Sequence, residues 1–444
     1  MKLIHASISA LVLFFIIAPE GFAQRTDVKP PVVLKIHDAV ELALERNTSI
    51  TQAVLSVSSS EARVTSAFGT FLPTINLSGG YTRYIAQGSV VIEGTPIEAN
   101  RPDDFYRAGA NASILLFDGF GRTATYNAAQ YSYAAAELGV TFAKRQVVWQ
   151  VRHRFLNALR ARQIVDLREV ELQTAQEQLL RIEGLVEGAV AVIATQYAQE
   201  VEVANAELML EQARTDYLVA RTSLSNLMNV DPVHVFEVSP DGLLETIDST
   251  EMVRRKIALG SFEDLFERQL QSRSDIVASR ATVEAAEASL KAAKAGYYPT
   301  VSATLGWGWN RSGGINSSDG TLSLNLQYPL FEGFRTDERV QLAENEYANA
   351  QIELRRLELQ ARSELQQAFA RLEGAERALS AAEKVVKSAR QSRLVSDERF
   401  KVGLENYSDY LTANTQFFKA RINQIDTLFN YRMALYEIEY LSGQ

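Results

Sequence analysis

The sequence predicts a mainly α-helical chain with four bilayer-length β-strands, built twice from one plan. Three observations carry this: two long spans without proline, an internal duplication, and strands whose two faces differ in character. No proline occurs between Asp103 and Asp231, or after Pro329, so each span lacks the residue that most effectively breaks a helix. Sliding the chain against itself by 226 positions aligns Ile50 with Ile276, Glu61-Ala62 with Glu287-Ala288, and Pro73-Thr74 with Pro299-Thr300. At an offset of 214, "FDGF" from Phe117 aligns with "FEGF" from Phe331, and Leu227 aligns with Leu441. Gly188 is matched to Gly403. Self-similarity on this scale marks a repeated structural unit.

Taken in order, the chain opens with Lys2, an apolar run from Leu11 to Ile17, and the small residues Gly21 and Ala23 before Gln24. This is the pattern of a cleaved export signal over residues 1–23. The apolar run is too short to cross a bilayer as a helix, and no stretch of about 18 apolar residues follows it. Any entry into a membrane must therefore use strands. Cysteine is absent, which excludes disulfide staples, thiolate metal sites and a lipidated N-terminal cysteine. The formal charge of −9 argues against nucleic acid as a partner.

The first repeat is expected over 24–229, with strands near 74–84 and 106–117, a long helix 119–184 and a return helix 192–228. A linking segment, 230–260, follows. The second repeat, 261–444, has strands near 300–310 and 321–331, a long helix 333–400 and a return helix 407–441. Pro73, Pro299, Gly119 and Gly333 mark the junctions between helix and strand. The loop between paired strands is longer in the first copy, Ile85 to Tyr106, than in the second, Arg311 to Gly320.

In "TVSATLGWGWN", Val301, Ala303, Leu305, Trp307 and Trp309 alternate with Ser302, Thr304, Gly306, Gly308 and Asn310. Period two puts the apolar set on one face. Leu322, Leu324, Leu326 and Tyr328 do the same in the partner strand, as do Ile75, Leu77 and Tyr81 in the first copy. An ordinary sheet packed on helices would also alternate. Against that reading, the wet faces carry Ser, Thr, Asn and Gly with few charges, and aromatics (Tyr81, Tyr84, Tyr106, Trp307, Trp309, Tyr328) gather near strand ends, as they do at membrane interfaces. Four strands cannot close a barrel, and open edges are not tolerated in hydrocarbon. Closure must come from other chains; three copies would supply twelve strands.

Each long span would form a rod of roughly 100 Å at about 1.5 Å per residue. In the second, Val340, Ala343, Tyr347, Ala350, Leu354, Leu357 and Ala361 step by three and four, and Leu365 through Ala389 resume the stepping, a coiled-coil seam. The return helices are about half as long. Helices at Ile50 to Leu72 and Ile276 to Tyr298 supply the missing halves by stacking end to end on them, with amphipathic Leu34 to Asn47 and the linker at the junction as a belt.

Catalysis finds no support. The histidines beyond the signal, His37, His153 and His234, are far apart, and no H-E-x-x-H, G-x-S-x-G or P-loop string is present. "GFGRTA" lacks the P-loop Lys-Ser/Thr, and an acidic residue at a strand-to-helix turn (Asp118, Glu332) accounts for it. Neither cofactor nor metal is expected.

On "RSDIVASRATVEAAEASLKAAKAGYYPTVSATLGW", "LLFDGFGR", "YPLFEGFR", "IHDAVELALERN" and "RFKVGLENYSDYLTANTQ", the chain resembles the TolC-like outer membrane efflux proteins along almost its whole exported length. The resemblance implies a homotrimer in outer membrane lipid, with a 12-stranded barrel continued by a 12-helix tunnel through the periplasm of a Gram-negative bacterium. It also implies a periplasmic adaptor protein and an inner-membrane pump of the RND or ABC type as partners, in tripartite efflux or type I secretion. The two helical turns would form the periplasmic mouth. The family's Gly followed six residues later by Asp stands at Gly403 and Asp409; six beyond Gly188 stands Ala194. Asp409 is therefore the expected acidic ring, with Tyr407 and Glu405 as gate candidates. Glu405 replaces the family's basic residue, and Thr412 stands at a second acidic position. The alternative is a structural periplasmic coiled coil or an adaptor, which would need soluble strands with cores of their own.

Overall fold

The computed structural model describes residues 33–442 except 86–88, 93–94, 99–103, 234–235, 241–242, 244–251, 253, 255–256 and 258–259. The expected export signal, His234, and parts of the linker and of the first inter-strand loop lie outside the described residues.

Two helices dominate. Helix α3 (Gly121–Glu187) and its counterpart α7 (Arg335–Lys401) have 67 residues each, so each is on the order of 100 Å long. Their return helices, α4 (Ile193–Leu227) and α8 (Tyr407–Leu441), have 35 residues each. All four fall on the single offset of 214. The shorter helices α2 (Thr48–Gly69) and α6 (Ser274–Lys294) complete the columns. Around the long axis the lower order is α4, α3, α8, α7, because α3 packs on both α4 and α8, and α8 packs on α7; in the upper half α2 and α6 take the places of α4 and α8.

The end-to-end joint is held by two amides. Asn47, which also caps α2, donates from Nδ2 to the Leu227 carbonyl at 2.7 Å, and Asn229 donates to the Arg46 carbonyl at 3.2 Å. A belt surrounds this level. Strand β1 (Val33–Leu34) pairs in parallel with β6 (Glu237–Val238), and α1 (Ile36–Arg46) lies on α3. Leu34, Ala39, Ala43, Val151, Phe155, Leu156 and Phe236 bury together there. Helix α5 (Phe262–Ser272), N-capped by Ser261, closes a second core of Leu265, Leu365, Ala368, Leu372, Tyr431 and Ile438. These belts account for the apolar residues of the amphipathic segments.

The four main strands, β2 (Thr74–Arg83), β5 (Asp104–Phe117), β7 (Thr300–Ser312) and β8 (Ile315–Gln327), form one antiparallel sheet in that order. A small hairpin, β3 (Ser89–Ile92) with β4 (Thr95–Glu98), sits in the first inter-strand loop. The ten-residue loop expected from Arg311 to Gly320 is instead a two-residue turn. Gly313 and Gly314 both have positive φ, 57° and 83°, which is the backbone of the tight hairpin turn whose twist matches its strands. "NSSDG" is thus the wet-faced continuation of β8, not loop. Both long helices begin two residues later than expected, since Gly119-Phe120 and Gly333-Phe334 are all left-handed. A side chain on Gly119 would meet Tyr298 Cβ at 2.6 Å, so this turn requires glycine.

Candidate functional site

The sheet is the first part of the site. Pairing aligns its faces in rows: Ile75, Ala112, Leu305 and Leu322 in one, Leu77, Ala110, Trp307 and Gly320 in the next, then Gly79, Ala108, Trp309 and Ser318. No charged residue enters these rows. The alternate rows are polar: Thr74, Ser113, Thr304 and Ser323, then Asn76, Asn111, Gly306 and Thr321. The apolar face has no protein cover within the chain, with Leu77 85% and Leu322 80% exposed. A patch of this kind marks an interaction surface. A packed core would have buried it, so the reading of these strands as an ordinary sheet on helices fails.

Aromatics frame the face. The Tyr81 and Tyr106 rings meet in a tilted pair, 5.0 Å between centroids, and the Tyr81 hydroxyl donates to Asp104 at 2.6 Å. Trp307 is exposed and Trp309 half-buried; Tyr328 is exposed at the helix end of β8. A second aromatic row, beyond the expected set, lies at the strand-helix junctions. Phe117 meets Phe120, and Phe331 meets Phe334, edge to face at 5.7 Å. The repeated "FDGF" and "FEGF" strings carried that signal. Pro73 and Pro299 precede β2 and β7 directly, ending the α2 and α6 columns.

At the opposite end lie the hairpin tips. Both long helices stop in the same Schellman geometry: Val190 N donates to Leu185 O at 2.8 Å, and Leu404 N to Arg399 O at 2.9 Å. The left-handed residue is Gly403 in the second tip (φ 74°) but Ala189 in the first (φ 57°). Gly188, at φ −73°, is the preceding C-cap, so its expected equivalence to Gly403 is off by one residue.

The acidic and phenolic candidates play separate parts. Glu405 reaches back to accept from Ser396 Oγ at 2.9 Å. Asp409 is exposed in the first turn of α8, where Asn406 caps its N–H and donates to its carboxylate at 2.8 Å. Tyr407 crosses between hairpins. Its hydroxyl donates to Gln199 Oε1 at 2.7 Å, and Gln199 Nε2 donates to the Ala175 carbonyl at 2.8 Å. Burial, then the nearby Glu202 carboxylate and Tyr410, push the Tyr407 hydroxyl up to about 12, so it remains a donor throughout the physiological range. Arg181 to Asp397, at 3.5 Å, is a second tie between the hairpins, and Asp397 also takes Lys401 at 2.7 Å. Gln199, Arg181 and Asp397 are not legible in the sequence, because only the hairpin packing brings Gln199 to Tyr407 and Arg181 to Asp397.

Among the described residues no cluster could hold a metal ion, and no helix is long and apolar enough to cross a membrane. A family profile described as outer membrane efflux protein matches residues 39–230 and 265–444, one segment on each repeat. The chain is 24% identical to Protein CyaE of Bordetella pertussis over 87% of its own length and 79% of that protein. It is also 24% identical to the outer membrane protein OprJ of Pseudomonas aeruginosa, over 90% and 82%. Among solved structures, the Campylobacter jejuni CmeC outer membrane channel superposes with a TM-score of 0.77 at 17% identity, covering 92% of this chain and 85% of that one. VceC of Vibrio cholerae superposes at 0.76 and 18%, covering 92% and 96%. The two profile segments, the uncovered apolar sheet and the paired long hairpins agree: the chain belongs to the outer membrane efflux protein family and is an outer membrane efflux channel.

Proposed function

We propose that three copies close head to tail into a 12-stranded barrel and a 12-helix periplasmic tunnel, and that this duct passes cargo outward from an inner-membrane pump through a periplasmic adaptor. The observation that carries the proposal is the sheet. It is open at β2 and β8, and its apolar face has no cover, which lipid and neighbouring strands would together supply. The helical layer is open in the same sense, at α4 and α7. Related proteins carry names tied to cobalt-zinc-cadmium resistance, pyoverdine export and cation efflux, so the proposal leaves cargo choice to the pump.

The hairpin tips would be the aperture. Tyr407 with Gln199, and Arg181 with Asp397, hold the two hairpins of a chain together, while three Asp409 carboxylates set a negative field at the mouth. Phenylalanine at 407 keeps the ring and deletes one hydrogen bond of about 0.5–1.5 kcal/mol. In single-channel recordings Tyr407→Phe is expected to raise the open fraction. Asp409→Asn keeps an acceptor for Asn406 while removing the charge, and is expected to lower cation preference. Unchanged opening in the first and unchanged selectivity in the second would remove these residues from the aperture.

A further inference from the structure

The duplicated hairpins have diverged in charge. On α7, the stretch from Lys384 to Ser396 holds Lys384, Lys387, Arg390 and Arg393 and no carboxylate. On α4, the stretch from Gln196 to Glu211 holds Glu200, Glu202, Glu207 and Glu211 and no cation. The two bands lie at the same height. Lys387 stands 14 residues before the end of α7 at Lys401, and Glu207 stands 14 residues after the start of α4 at Ile193. Each is therefore about 21 Å from its tip. The ion pair of Arg181 with Asp397, each near its own tip, shows that the hairpins are level.

Glu202 turns inward towards Tyr407, Arg393 packs on Phe417, and Glu211 pairs with Arg214; the remaining members of the two bands do not meet within one chain. The order α4, α3, α8, α7 puts them at opposite ends of the helical layer. Lys384, Lys387 and Arg390 are exposed and have no carboxylate at ion-pair distance among the described residues, and Glu200 and Glu207 have no cation. On α4 the band runs beside an uncovered apolar stripe. Tyr197, Val201 and Leu208 are 60%, 58% and 54% exposed on α4, at spacings of four and seven. On α7, Val395 is 55% exposed, and eleven residues, about three turns, put Lys384 on the same face.

We propose that the outer faces of α4 and α7 are two halves of one interface between copies of this chain, with the carboxylates of one copy set against the cations of the next. This rests on the head-to-tail closure proposed above and adds what enforces it. An edge-to-edge pairing of α4 on α4, or of α7 on α7, would set like charge on like. A head-to-tail arrangement, α4 on α7, brings opposite bands together and can close into a ring. The duplication thus encodes its own polarity of assembly.

The test uses the full chain in detergent and four exposed side chains without ion-pair partners. Lys384→Glu with Lys387→Glu, and separately Glu200→Lys with Glu207→Lys, are each expected to lower the assembled fraction about tenfold at low salt, since each puts like charges across every interface. The fourfold variant, with both bands reversed, is expected to assemble within about twofold of the parent chain. Circular dichroism checks that helix content is unchanged in each. A parent oligomer indifferent to both reversals, or a fourfold variant worse than either, overturns this inference alone. A parent chain that is itself monomeric overturns the closure reading together with it.

Discussion

Ala189 and Gly403 occupy the same left-handed position after their long helices. An L-residue there costs roughly 1–2 kcal/mol, so a reader of the sequence naturally seeks the glycine and finds Gly188, one position early. The tips were visible as turns, but their register was not, because the local Schellman hydrogen bonds place an exposed alanine, not a glycine, in the left-handed conformation. A second residue-scale tension is Gln269 on α5. It is fully buried, and neither its Oε1 nor its Nε2 has a hydrogen-bond partner. An unmet buried polar group costs about 1–3 kcal/mol. Gln269→Met, similar in length and free of that cost, is expected to raise unfolding stability by about that amount, read from the thermal loss of helical circular dichroism. A lower midpoint would show that the amide has a role its surroundings do not reveal.

Elements were readable to the degree that their periodicity was unbroken. The seam from Val340 to Val386 marks the face of α7 that packs on α6 above and α8 below, with Leu365, Ala368, Leu372, Leu379, Ala382 and Val386 buried. The alternation of β7 gave its two faces correctly. What failed was the far end of the second hairpin, where "GGINSSDG" has loop composition yet continues the ladder to Ser312 opposite Ile315. Composition alone cannot distinguish a loop from a strand wet on one face and thinly apolar on the other. The lipid reading of that ladder turns on its apolar rows. Leu305, between Ala112 and Leu322, is 60% exposed. Arginine on a lipid face near the midplane costs about 2–4 kcal/mol, so Leu305→Arg is expected to reduce the assembled, membrane-extracted form sharply. The polar-face control Thr304→Ser should not. Equal yields of both variants would place the apolar rows against something other than lipid.

At the scale of the whole molecule, one geometry recurs. The sheet ends at β2 and β8, the helical layer ends at α4 and α7, and the first and last members of each belong to different repeats. Duplication followed by a relay of the two units leaves edges that match each other and not themselves. The internal offsets carried this architecture in the sequence. The inter-hairpin contacts of Tyr407, Gln199, Arg181 and Asp397 were not accessible there, since they join residues about 200 positions apart that share no motif. The most direct test of the account is the native mass of the particle extracted from outer membrane in detergent, with bound detergent subtracted. A mass of three chains, each 49.3 kDa before any signal is removed, is the predicted result. A monomer or dimer recovered from the soluble periplasm would contradict it.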